Sequence, residues 1–218
     1  MNQRIESYIA SFIREKSSLF LEMEQYAKEQ NVPIMESVGM EALLQFLRLQ
    51  QPKTILEIGT AIGYSALRMA YALPNTTVVT IERDKKRYEE ALLYIQRSDA
   101  SDRVKPIFGD ALEVFDTVKE WGPFDAIFID AAKGQYQKFF ELYERLLTSE
   151  GSIYSDNVLF KGLVVAEEFD NKRIKQLVKK IRAYNEWLMH HPSYHSIILP
   201  VGDGIAISKK RGGSNEKA

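Results

Sequence analysis

Asp156 and Asn157 stand side by side in GSIYSDNVLFKG, directly after a run that reads as a buried strand. A second apolar run, in DAIFIDAAKGQY, ends on Asp130, with Lys133 shortly after it. If the two strands are neighbours, two carboxylates and one amide oxygen converge beyond their ends. Hard oxygen donors of that kind suit Mg2+ or a similar divalent cation, which takes one or two carboxylates and keeps other positions for water or substrate. Zinc is a worse match to this donor set. An isolated Asp-Asn pair more often serves a turn, and it is Asp130 and Lys133 that move the reading toward a metal. Lys133 has two readings, a proton acceptor beside the cation or a solvated surface side chain.

Three more acids mark strand ends. LEIGTAIGYS sets Glu57 ahead of Gly59 and Gly63, a pattern of strand, tight turn and helix start. Its spacing is GxxxG rather than the GxGxxG of a dinucleotide site, it lacks a Walker lysine, and GYSAL lacks the second glycine of a nucleophile elbow. Glu82, in VVTIERD, follows Gly63 by 19 residues, where an acid can accept from both hydroxyls of a ribose. Asp110, in IFGDALE, can accept from an exocyclic adenine amine. Such an acidic surround repels a pyrophosphate and attracts a cation. S-adenosylmethionine brings adenine, ribose, ammonium and sulfonium, so each acid has a partner. Singly these acids read as helix caps; in this order they describe a nucleoside site.

Elements of a definite kind are needed to bring such residues together. Short apolar runs (TILEIG, TTVVTIE, RVKPIFGD, DAIFID, GSIYSDN) alternate with longer periodic ones (YSALRMAYAL, KKRYEEALLYIQRS, YQKFFELYERLL). That order predicts an α/β fold, a doubly wound, mostly parallel sheet of seven strands with helices on both faces. YHSIILPVGDGIAISKK supplies the last two strands as a terminal antiparallel hairpin turning near Gly202 to Gly204. Ahead of the sheet, Ile5, Tyr8, Ile9, Phe12 and Ile13, then Leu19 to Met23, predict two N-terminal helices, and Met40, Leu43, Leu44 and Leu47 a third. We expect one domain over 1–211, with 1–32 as a helical extension and 212–218 as a disordered tail.

Composition narrows the class. With 218 residues and 45% hydrophobic content the chain suits a single large core. The absence of cysteine excludes disulfides, thiolate zinc sites and a cysteine nucleophile, and fits a reducing cytoplasmic location. No stretch approaches the roughly 20 apolar residues that span a bilayer. A net charge of −1 argues against a globally basic nucleic-acid binder, but leaves room for a local patch. In NKRIKQLVKKIRAYNEWLMHH, Ile174, Leu177, Val178, Ile181 and Leu188 form an inward stripe. Lys172, Arg173, Lys175, Lys179, Lys180 and Arg182 form a basic remainder that is either solvated or able to hold phosphates. His190, His191 and His195 read as surface or packing residues, and Trp121 and Trp187 as partly buried. The apolar N-terminal helices suggest a homodimer interface or a lid.

Taken together, LEIGTAIGYS, IERD, GDALE, FIDAAKGQY and SDN resemble the cation-dependent O-methyltransferases related to catechol and caffeoyl-coenzyme A methyltransferases, over roughly residues 30 to 210. Within that group the chain is most similar to bacterial tRNA 5-hydroxyuridine methyltransferases, including NVLFKG and the N-terminal helices. The resemblance implies a Rossmann-like methyltransferase in which Asp130, Asp156 and Asn157 hold the metal. It implies that Val38, Glu57, Gly59, Gly63, Ser65, Glu82, Asp110 and Ala111 surround S-adenosylmethionine, with Asp130 serving both sites. Lys133 matches the general base of the catechol-type enzymes. The favoured acceptor is wobble 5-hydroxyuridine in the tRNA anticodon region, giving 5-methoxyuridine. The alternatives are a catechol-like small aromatic hydroxyl and a non-catalytic nucleotide- or RNA-binding module.

Overall fold

The computed structural model describes residues 3–169 and 171–212. Three helices come first: α1 (Gln3–Ala10), α2 (Ser18–Gln30) and α3 (Ser37–Gln50). Strands and helices then alternate as β1 (Thr54–Ile58), α4 (Tyr64–Ala72), β2 (Thr77–Glu82), α5 (Lys85–Gln96), β3 (Val104–Phe108), α6 (Phe115–Lys119), β4 (Phe124–Ile129), α7 (Tyr136–Tyr143) and β5 (Leu147–Ser155). The chain closes with α8 (Lys172–Met189), β6 (Tyr194–Leu199) and β7 (Ile205–Lys210). The predicted tail falls outside the described residues from 213 onward.

The seven strands run in the order β3-β2-β1-β4-β5-β7-β6. β1 to β5 are parallel, and β7 inserts antiparallel between β5 and β6. This is the expected sheet, and the chain order reverses direction between β1 and β4. Ligands in such sheets collect at that switch point, beyond the carboxyl ends of the strands.

Alternation along each strand divides the core in two. Ile55 packs with Met40, Leu43, Leu44, Leu47, Leu67 and Met69 on the face covered by α2 to α5. Leu56 and Ile58 pack with Val118, Phe139, Phe140, Tyr143 and Leu188 on the face covered by α6 to α8. Glu57 shares the parity of Ile55, so its side chain faces the α3 and α4 layer. Side-chain caps set two helix starts. Asp84 accepts from the Arg87 N–H at 3.0 Å to begin α5, and Asn171 accepts from the Arg173 N–H at 2.8 Å to begin α8.

Three expectations need correction. Ile174 is 37% exposed rather than part of the inward stripe, because it lies in the first turn of α8, beyond the edge of the core. Tyr184, which the stripe omitted, is buried there with Val178, Ile181 and Leu188. Trp121 is 42% exposed. Helix α6, too short to show a period, was not expected at all, yet it buries Val118. No described helix is long and apolar enough to cross a membrane.

Candidate active site

The ends of β1, β2, β4 and β5 are tied in register. The Gly59 N–H donates to the Ile81 carbonyl at 3.0 Å, the Asp130 N–H to Ile58 at 3.0 Å, and the Asp156 N–H to Ile129 at 3.1 Å. Each residue therefore lies one step beyond a paired strand, at the same level as its neighbour. Gly59 is obligatory here: its φ is +107°, and a Cβ would sit 2.0 Å from the Asp130 carbonyl oxygen. Only a residue without a side chain lets these two strand ends approach so closely.

A cavity of about 500 Å3 opens above this row, within the size range of small-molecule sites. Gly59, Ser65, Glu82, Asp110, Ala111, Asp130, Lys133, Asp156 and Asn157 line it. Of the expected donor-site residues, Val38 is buried in α3 beside Gly39, which lines the cavity. Gly63 caps α4 at φ +86°. Glu57 lies fully buried beneath the floor.

The acids differ in how they are held. Both Glu82 oxygens accept backbone N–H groups, from Ala61 and Asp84, each at 2.8 Å. Glu82 is thus fixed by the turn after β1 while Asp84 does the helix capping. Asp110 accepts from the Leu112 N–H at 2.9 Å and from Arg83 Nη1 at 3.3 Å. Glu57 accepts from the Thr80 hydroxyl at 2.5 Å through Oε2, and its Oε1 has no hydrogen-bond partner. Burial pushes its carboxyl up to about 7, although the Ser65 and Thr80 hydroxyls oppose the rise and Asp130 and Glu82 add to it. Ser65 stands near without reaching hydrogen-bond geometry.

At the other end of the cavity Lys133 Nζ donates to Asn157 Oδ1, and Asn157 Nδ2 donates to Asp156 Oδ2 at 2.5 Å. Burial raises the Asp130 carboxyl, opposed by Lys133 and reinforced by Asp203. Burial, then the charge of Asp130, raises Asp156 well above the usual carboxylate range. A buried carboxylate, Asp156, and a half-buried one, Asp130, facing one lysine form a site short of positive charge. Asn157 has φ +59°, and Phe160 and Lys161 follow at +45° and +54°; such backbone is costly away from glycine and clusters at functional sites. The Lys133 ammonium lies 5.9 Å from the Phe160 ring centroid.

Packing behind the site holds it rigid. The buried Tyr136 hydroxyl donates to the Asp156 carbonyl at 3.0 Å, Asn185 Nδ2 donates to the Val158 carbonyl at 2.8 Å, and the Ser155 and Tyr184 hydroxyls pair at 2.7 Å. Thus α7 and α8 both anchor the end of β5.

Sequence reasoning missed Asp203, Glu36 and Lys161, which also line the cavity. Asp203 accepts from the Lys161 N–H. Its place depends on Gly202, whose Cβ would stand 3.1 Å from the Gly39 Cα, so the hairpin turn rests directly on the start of α3. The signal available was an acid between two glycines in VGDGI, a turn with no evident target until β7 is known to lie against β5.

Comparison with known proteins shows the family. Residues 11–211 match the family described as O-methyltransferase. The chain is 32% identical to the catechol O-methyltransferase of Niastella koreensis, covering 94% of this chain and 96% of that one. It is 32% identical to caffeoyl-CoA O-methyltransferase 1 of Eucalyptus globulus, covering 77% and 71%. The crystal structure of a Bacillus cereus O-methyltransferase in complex with SAH superposes with a TM-score of 0.81 at 28% identity, covering 95% of this chain and 97% of that chain. The chain therefore belongs to the O-methyltransferase family.

Proposed function

We propose that this chain is a Mg2+-dependent O-methyltransferase whose acceptor is the 5-hydroxyl of wobble 5-hydroxyuridine in tRNA, and that it makes 5-methoxyuridine. The observation that carries the metal-dependent part is the meeting of Asp130, Asp156 and Asn157 at adjacent strand ends, in one cavity with Gly59, Ser65, Glu82 and Asp110. The donor set fits a hard dication: a buried and a half-buried carboxylate, both with raised proton affinity, and an amide oxygen, short of compensating charge. A divalent cation held there supplies the positive charge that stabilises a deprotonated acceptor hydroxyl.

The remaining work falls to the chain's own groups. Lys133, hydrogen-bonded to Asn157, would take the hydroxyl proton at Nζ as a neutral amine, the form that a divalent cation beside it favours. Glu82 and Asp110 hold the ribose and adenine of the donor, and Glu57 below them compensates its ammonium. The strand ends, tied in register by backbone hydrogen bonds, would hold the acceptor oxygen toward the methyl group of the donor. The hydroxyl and neighbouring C4 carbonyl of 5-hydroxyuridine present two adjacent oxygens, as a catechol does.

Support for an RNA acceptor comes from the exposed basic side chains of α8, including Lys172, Arg173, Lys179 and Lys180. The proposal includes a cytoplasmic homodimer formed through α1, on whose surface Ile5, Tyr8 and Ile9 stand exposed, followed by Phe12. A second reading, O-methylation of a catechol-like small molecule, is favoured by the similarity to the Niastella koreensis protein. Nucleoside analysis of tRNA from cells with and without this chain decides between them. Loss of 5-methoxyuridine in its absence is expected, and unchanged 5-methoxyuridine would refute the tRNA acceptor.

A further inference from the structure

On the other side of Lys133 from the carboxylates lies a second cavity of about 370 Å3. Its walls are the turn of residues 133–135, the start of α7, and α8. Lys133, Lys138 and Lys180 all line it. Lys180 reaches in from α8 across Gly134, where an added Cβ would come within 3.3 Å of Nζ. A larger residue at 134 would push that ammonium away.

Among the described residues, no ion pair within 4.0 Å engages any of these three lysines. Elsewhere on the surface cations do find acids, as in Arg97 with Glu22 at 2.6 Å and Lys209 with Glu150 at 3.4 Å. Like charges gathered around a concavity repel one another. An anion entering the cavity removes that cost. The cavity also borders the first turn of α7, which no side chain caps. Because Lys133 lines both cavities, an anion here would stand beside a hydroxyl presented to Asp130 and Asp156.

We infer that this second cavity is a phosphate subsite, in which Lys138 and Lys180 hold a phosphodiester adjacent to the nucleotide being methylated. The inference rests on the RNA acceptor proposed above. It explains why cations from two elements distant in sequence meet at this point beside the metal-binding end of the site.

The test uses the full chain with Mg2+ and S-adenosylmethionine, and compares the double variant Lys138→Gln, Lys180→Gln with wild type. Acceptors are an anticodon stem-loop RNA carrying 5-hydroxyuridine and the free 5-hydroxyuridine nucleoside. For the RNA, KM should rise about tenfold with kcat within twofold, and the slope of log KM against log salt should fall by about 0.7 for one single-strand phosphate. The loss should be confined to the phosphate-bearing acceptor. An equal loss on the nucleoside, or none on the RNA, overturns the subsite. Should wild type methylate neither acceptor, the tRNA reading fails separately. Calorimetric titration of inorganic pyrophosphate then tests the cavity alone: binding to wild type that disappears in the double variant sustains it as a phosphate site for a small acceptor, and no binding to wild type overturns it.

Discussion

The acidic Glu57 side chain is wholly buried, with one of its two oxygens unpartnered. Its carboxyl rises from an ordinary 4.5 to about 7. At 1.36 kcal/mol per pH unit that displacement is worth about 3 kcal/mol. The sign follows from proton counting. Below pH 4.5 both folded and unfolded chains carry the proton, and Glu57 imposes no penalty. Between 4.5 and 7 the unfolded chain releases it while the folded chain keeps it, so stability falls as pH rises. Above 7 the full penalty stands. Glu57→Gln removes this dependence. The amide leaves a polar gap of its own, but that cost does not change with pH. Urea unfolding at pH 5, 6, 7 and 8, with chelator and without donor, should therefore give a difference between variant and wild type that grows in the variant's favour by about 2 to 3 kcal/mol across the range. Parallel stability curves for the two proteins would show that Glu57 is already ionised in the folded chain, and the reasoning about its burial would be wrong.

Other outcomes follow from the same geometry. Asp156→Ala should abolish methyl transfer while S-adenosylmethionine binding remains measurable by calorimetry; full turnover in that variant would remove Asp156 from the metal set. Chelation with EDTA should stop turnover and Mg2+ should restore it, so activity indifferent to chelator counts against a divalent cation. Gly59→Ala places a methyl group 2.0 Å from the Asp130 carbonyl oxygen at φ +107°, and should cost more than about 3 kcal/mol in chemical denaturation, since core overpacking alone typically costs 1 to 3; a loss below 1 kcal/mol contradicts the close approach. Asn171→Ala removes the side chain that accepts from Arg173 and Ile174, and should lower stability by about 1 kcal/mol. An unchanged midpoint would mean the α8 cap contributes nothing.

Features legible in the chain alone are local and periodic. Continuous apolar runs of the kind in β1, β2 and β4 can belong only to strands covered on both faces, and their alternation with amphipathic helices dictates a parallel sheet. In such a sheet the polar residue that ends each run must emerge at the carboxyl edge, so Glu82, Asp130 and Asp156 could be read off as site candidates, with Glu57 one step short of the edge. Gly59 was legible as a turn, though its close contact with the Asp130 carbonyl was not. What lies opposite what is fixed by contacts between elements. Pairing of β7 with β5 brings Asp203 over the site, and the Gly39 to Gly202 contact seats it there. Packing of α8 behind β5 delivers Lys180 to the turn that carries Lys133. Register places Glu57 below the cavity floor with one oxygen unpartnered, although its type and position would equally suit an exposed ligand. Periodicity reports which face a residue takes relative to its own element; which charges share a small volume depends on contacts between segments far apart in the chain, and no local pattern encodes those.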